Sequence, residues 1–252
     1  MNARSGMSRG KKLAVAALAA IVASALPGPV SAVADTGRDH PEHWGVITRN
    51  TVGSPVAALR NGPFGSFGVQ GSSARPAYGR GSLGIEVGDS GEKVDFGNEV
   101  DFYGDPVLGL TKVGFHVFQT GENVASGGAE NMPGIRFEID PNVSAHPGDN
   151  YSSLVWVPDA APVTDRWSPF IDATSTGYWY LTGNETACTQ AAECTFAQVK
   201  ASLDDGGEKP TIHSAAVGKG RDHMWIGAVD GLRVNRTVYD FEADGVRAHR
   251  AG

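Results

Sequence analysis

The stretch from Trp225 to Asp244, WIGAVDGLRVNRTVYDFEAD, confines the chain to a narrow set of folds. Two runs of strand-forming residues flank Asn235 and Arg236, the pattern of a β-hairpin. Ile226, Ala228, Gly231, Val234, Val238, Tyr239 and Phe241 are set among polar residues, so the hairpin needs a partner to bury its apolar side chains. The rest of the chain has to supply a second sheet. Its 34 Gly and 14 Pro, with 19% charged residues, describe a chain that reverses often and has few long solvated helices. A length of 252 residues suits a single all-β domain.

Residues 1–34 are expected to lie outside that domain. Arg4, Arg9, Lys11 and Lys12 precede an apolar run from Leu13 to Leu26, and Pro27, Gly28 and Pro29 follow it. This is the layout of a secretory signal peptide, with small residues for cleavage at Val30-Ser31-Ala32 or Ala32-Val33-Ala34. The run is too short for a membrane span, so after removal the chain is expected to be secreted, extracellular and without a membrane anchor. The segment takes four of the 21 basic residues and none of the 28 acidic ones, so the remainder is more acidic than the whole chain at −7. Such a surface repels phosphate backbones, and nucleic acid is excluded as a partner. In an oxidising compartment Cys188 and Cys194, in ACTQAAECT, are expected to form a local disulfide that pins a loop.

Residues 35–43, DTGRDHPEH, read as a flexible lead-in, with His40 and His43 on a solvated tail rather than in a metal site. A domain over residues 44–245 follows. It opens with strands at Trp44–Thr48 and Val56–Leu59, then a long glycine-rich loop from Asn61 to Gly81. Strands are expected at Ser82–Val87, Lys93–Gly97, Lys112–Gln119, Ile135–Asp140 and Tyr151–Pro158, then at Arg166–Ala173 and Gly177–Thr182. Phe196, Val199 and Leu203 switch to helical spacing, and Thr195 with Gln198 forms a capping box, which predicts one short helix. Thr211–Val217 and the closing hairpin complete the domain, and residues 246–252 read as a loose tail. The fold expected is a two-sheet antiparallel β-sandwich, a jelly roll, with one short helix.

GRGSLGIEVGDSGEKVDF, LTKVGFHVFQT, the pair WSPF and GYWYLTG, TFAQVKASL and GAVDGLRVNRTVYDFEAD together resemble secreted, mainly bacterial β-sandwich domains without an assigned activity. The same order of elements resembles the concanavalin-A-like lectin/glucanase and laminin-G jelly rolls and the jelly-roll carbohydrate-binding modules. The resemblance covers about Val56 to Asp244. It implies a lectin-like or carbohydrate-binding role, with an extracellular glycan or protein as ligand.

Within that frame the aromatic segment is the leading ligand-binding candidate. Tyr178 and Tyr180 share one face of their strand and Trp179 takes the other. Trp167 lies just upstream, and the three side chains Trp167, Tyr178 and Tyr180 form a possible sugar platform, with packing as the competing use of such rings. Glu138 and Asp140 resemble the start of the glucanase pattern ExDxxE, but Val143 stands where the third carboxylate belongs. They are then an ordinary solvated face, or else part of a hydrolase or lyase with another carboxylate partner. Asp230 reads either as a ligand of a structural calcium, the one cofactor for which residues are available, or as an acceptor for neighbouring backbone. The sequence thus leaves three functions in order: a non-catalytic binding module, a glycan-active enzyme, and a structural envelope or matrix protein.

Overall fold

The computed structural model describes residues 40–252 apart from 129, 161 and 162. The expected signal peptide, residues 1–34, and residues 35–39 of the lead-in lie outside the described residues. In chain order the first strands are β1 (Trp44–Val46), β2 (Val56–Asn61), β3 (Gly81–Val87), β4 (Lys93–Asn98) and β5 (Val113–Gln119), followed by helix α1 (Gly121–Gly127). Then come β6 (Gly134–Asp140), β7 (Ser152–Val157), β8 (Arg166–Trp167), β9 (Ile171–Asp172), β10 (Tyr178–Leu181) and helix α2 (Phe196–Leu203). The last strands are β11 (Thr211–Gly220), β12 (Trp225–Val234), β13 (Thr237–Glu242) and β14 (Gly245–Arg250).

The strands form a two-sheet antiparallel β-sandwich. One sheet has six strands in the order β1-β4-β11-β6-β7-β10. The other has eight: β14-β13-β12-β3-β2, with β5 along the opposite side of β12 and the short β8 and β9 on β5. Strand alternation fills the space between them. Phe96, Ile135, Phe137, Ile139, Trp156, Trp179 and Val217 from the first sheet meet Leu83, Ile85, Phe115, Val117, Trp225, Val229, Tyr239 and Phe241 from the second. Each such side chain stabilises the fold by roughly 1.5 to 3 kcal/mol through burial. Trp156, Trp179 and Trp225 also keep their indole donors satisfied, on Thr176 O, Ala173 O and Gln119 Oε1, each at 2.7 Å.

The closing hairpin turns at Asn235 and Arg236 as its sequence predicts, with Val234 opposite Thr237 and Asn235 at a positive φ of 58°. A bulge interrupts β12 after Asp230. Trp225 and Val229 point into the core before it, and Leu232 and Val234 point there after it, so the inward positions change from odd to even. Gly231 has φ 61°, and a Cβ there would lie 2.4 Å from the Tyr78 ring, so both backbone and space require glycine. The long loop between β2 and β3 lies across the outside of the eight-stranded sheet. Phe64 packs at Gly84, and Tyr78 packs beside Gly231 and against His116.

Three expectations change. Residues 246–252 are not a loose tail: Gly245–Arg250 pairs with β13 along its full length, and Val246 is buried. The lead-in is structured where it is described, because Pro41–His43 forms a 3-10 turn. There are also two helices rather than one. α1 offers little apolar periodicity, and tertiary bonds hold it: buried Asn123 accepts from Ile226 N at 2.9 Å and donates to Ile226 O at 2.7 Å. α2 carries both bonds of the Thr195–Gln198 capping box and packs Phe196 on the Trp179 ring.

Candidate functional site

The outer face of the six-stranded sheet carries a trough of about 450 Å³. Its position follows from strand register. Tyr180, Val155, Arg136, Ala216 and Gly97 form one cross-strand row, and Gly134, Gly218 and Asp95 form part of the next. Small residues on β6 and β11 keep the middle of this face low. At Gly218 a Cβ would fall 1.9 Å from Asp95 Oδ1, and at Gly134 one would fall 2.6 Å from Trp156 O, so neither position admits a side chain without displacement.

Tyr178 and Tyr180 line the trough from β10. Tyr178 is 44% exposed, whereas Tyr180 is nearly covered, and burial raises the Tyr180 phenol above its ordinary range, keeping it protonated as a donor. Glu193 reaches the same space from the disulfide loop. Partial burial, and then the charge of Glu130, push its carboxyl above the usual range. Lys219 is buried and pairs with Asp222; desolvation lowers its ammonium against that partner. Arg136 donates from Nη1 to Asp95 Oδ2 at 2.7 Å, while its buried Nε has no protein acceptor. Asn131 donates twice from Nδ2, to Asn123 O and Met224 O, and its buried Oδ1 has no protein donor. The lining therefore sets a protonated phenol next to an exposed aromatic ring, and the unpaired Arg136 Nε and Asn131 Oδ1 are themselves buried among its residues.

The disulfide places one of these groups. Cys188 and Cys194 are bonded at 2.05 Å, and their loop docks on the edge of β10: Trp179 N donates to Cys194 O at 2.7 Å and Leu181 N to Cys188 O at 2.8 Å. The loop covers an otherwise open strand edge and brings Glu193 beside Tyr180.

The three aromatic candidates are not brought together. Tyr178 and Tyr180 share the trough, as their spacing predicts, but Trp167 belongs to the other sheet. It pairs across from Phe118, packs its ring 5.8 Å from that of Phe118, and donates to Ala74 O at 3.3 Å. Trp179 is a core residue.

Glu138 is not on a solvated face, which corrects the sequence expectation. It is 1% exposed because the turn Thr48–Asn50 and Tyr151 fold over it. Its oxygens accept from Asn50 Nδ2 and Tyr151 OH, both at 2.8 Å, from Ser214 Oγ at 3.0 Å and from Arg49. Burial opposes its ionisation, but those four donors outweigh it and hold the carboxyl below its usual range. A carboxylate held this way is the reverse of a general acid, whose pKa must be raised. Asp140 is half-buried, its Oδ1 accepting from Asn142 N at 3.2 Å, and Val143 is a core residue. No glucanase-like carboxylate set is assembled on β6.

Asp230 is fully buried at the bulge. Its Oδ2 accepts from Tyr78 N at 2.9 Å, and its Oδ1 accepts from Gly231 N at 2.7 Å and Phe241 N at 3.2 Å. Both oxygens thus accept from backbone N–H donors, the arrangement that the backbone-acceptor alternative expects. Sequence reasoning missed Glu193, Glu130, Asn131 and Arg136 as trough residues because tertiary packing alone gathers them. The period of GYWYLTG was the one usable signal. Comparisons with protein-family models, curated proteins and solved structures found no match to the chain.

Proposed function

We propose that the chain is a secreted, non-catalytic binding β-sandwich whose trough takes an uncharged extracellular glycan. The observation that carries this reading is the pairing of exposed Tyr178 with Tyr180 in a trough also lined by the polar side chains of Asn131, Arg136 and Glu193. A sugar has apolar C–H faces that stack on an exposed ring and hydroxyls that both donate and accept, and this lining answers both needs. A volume of about 450 Å³ falls in the range of small-ligand sites, roughly 300 to 1,000 Å³. Glu130, Asp159, Glu193 and Asp222 around the trough exceed its strong bases, Arg136 and Lys219, which disfavours a polyanionic glycan. The resemblance to jelly-roll carbohydrate-binding modules supports the same reading. Among the described residues no helix is long and apolar enough to cross a membrane.

The test is a glycan array followed by calorimetry on the retained sugar. Tyr178→Ala is expected to weaken binding at least tenfold, with unchanged thermal stability. Retention that is absent, or undiminished in this variant, overturns the proposal and leaves the structural envelope or matrix role.

One observation favours a second reading, a glycan hydrolase: the Glu193 carboxyl, raised by partial burial and by Glu130, shares the trough with Glu130, and glycosidases work with a pair of carboxyls. That reading requires release of reducing ends from the bound glycan and its loss in Glu193→Gln. Binding without release supports the non-catalytic module.

A further inference from the structure

At the start of the described chain, the sequence His40-Pro41-Glu42-His43 folds into a compact ligand set. Pro41 occupies the first position of the 3-10 turn Pro41–His43, where its fixed φ favours the turn and its missing N–H costs nothing. Three residues per 3-10 turn place positions i and i+3 above one another. The rings of His40 and His43 accordingly stack, with centroids 4.8 Å apart and planes 27° from parallel. Glu42 lies beside both, its Oε1 3.2 Å from His40 Nδ1 and 3.9 Å from His43 Nε2. One ligand atom from each of the three residues lies within 4.8 Å of the other two.

A second feature lies behind this set. His43 Nδ1 is 2.7 Å from Oδ1 of Asp101, a side chain only 6% exposed. Asp101 is fixed by buried Asn98 of β4, which donates from Nδ2 to Asp101 Oδ2 at 2.8 Å and accepts the Asp101 N–H at 2.9 Å. A carboxylate on Nδ1 sets the tautomer with the proton there, leaving the Nε2 lone pair on the Glu42 side. Carboxylate, histidine and a vacant imidazole lone pair in series are the arrangement that orients and strengthens metal-binding histidines.

We propose that His40, Glu42 and His43 bind a divalent transition-metal ion of the zinc type, with Asp101 as the positioning residue for His43. Two imidazoles and one carboxylate suit zinc and its neighbours and not calcium or magnesium, which take all-oxygen shells. Ligands about 2.0 to 2.2 Å from zinc lie roughly 3.5 Å from one another, a spacing that the His40–Glu42 pair already has. The side chains of His40 and Glu42 are 43% and 63% exposed, so each can rotate to close the set, and water completes the shell. The turn packs against the β13–β14 hairpin, where a Cβ on Gly245 would lie 3.0 Å from Pro41 Cβ. A bound ion would therefore stiffen this turn, with His43 tied to Asp101 just beyond β4.

Calorimetric titration of zinc into the untagged protein at neutral pH tests this. One equivalent is expected to bind. His40→Ala and His43→Ala should each weaken binding more than tenfold, Asp101→Asn about 10- to 100-fold, and His146→Ala not at all. Cobalt in place of zinc should give visible d–d absorption that disappears in His43→Ala. No uptake of zinc, or uptake of equal affinity in His40→Ala and His43→Ala, overturns the proposal. His40 is exposed, whereas His43 is half-buried against Asp101, so circular dichroism of each variant checks that its fold is intact.

Discussion

Asp230 ties together three segments that are remote in sequence: the loop at Tyr78, the bulge at Gly231 and β13 at Phe241. Burial pushes its carboxyl up to about 7 in spite of these three donors. In the unfolded chain an aspartate titrates near 3.8. Between those values the folded state holds the extra proton, so Asp230's contribution is full below about pH 4 and is lost as pH rises through about 7. Thermal melts from pH 5 to 8 should show a falling Tm, and Asp230→Asn, which has no such proton to lose, should flatten that fall. Asp230→Ala leaves three backbone N–H groups without an acceptor, at about 1 to 3 kcal/mol each. A loss of at least 6 °C in Tm is expected for a domain of this size. Glu138 has the opposite sign, since its donors lower its pKa and its contribution is lost on acidification.

Elements whose own side chains carry the periodicity were legible in the sequence. IRFEID alternates and becomes β6, GYWYLTG becomes β10, Thr195 and Gln198 mark the start of α2, and Asn235-Arg236 sets the hairpin turn. Those held by distant partners were not. α1 rests on the bonds of Asn123 to Ile226, and β14 reads as a polar tail because Val246 is its one core side chain. The site divides the same way: strand period gave Tyr178 and Tyr180 a shared face, but nothing local revealed that Trp167 pairs with β5 on the opposite sheet. Glu193 depends on the Cys188–Cys194 loop, which docks by main-chain bonds on β10. The disulfide closes a short loop, so its removal should cost roughly 2 kcal/mol. The Cys188→Ser, Cys194→Ser variant should therefore melt about 4 to 8 °C lower with its β-sheet circular dichroism intact. Glycan affinity should fall further than this loss of stability explains, because Glu193 is released from its place beside Tyr180.

At the scale of the whole molecule, the two outer faces differ in use. The loop between β2 and β3 covers the outside of the eight-stranded sheet, and the six-stranded sheet keeps its trough beside Tyr178. The sandwich has another asymmetry. β11 lies between β4 and β6, and β12 lies between β3 and β5, so the centres of both sheets are strands from the last part of the chain. A polypeptide made from its N-terminus can pair β1 with β4, β2 with β3, and β7 with β6 and β10, but it cannot join these pieces into two sheets until Thr211–Val234 has been synthesised. Its nascent form should stay loose for most of translation and close in one late, cooperative step, slowed by the distance between pairing partners. A chain ending at Asp205 should accordingly give dispersion-poor NMR spectra and no melting transition, even though it retains ten of the fourteen strands. Order in this protein is completed from its middle outward, although that middle is the last part to be made.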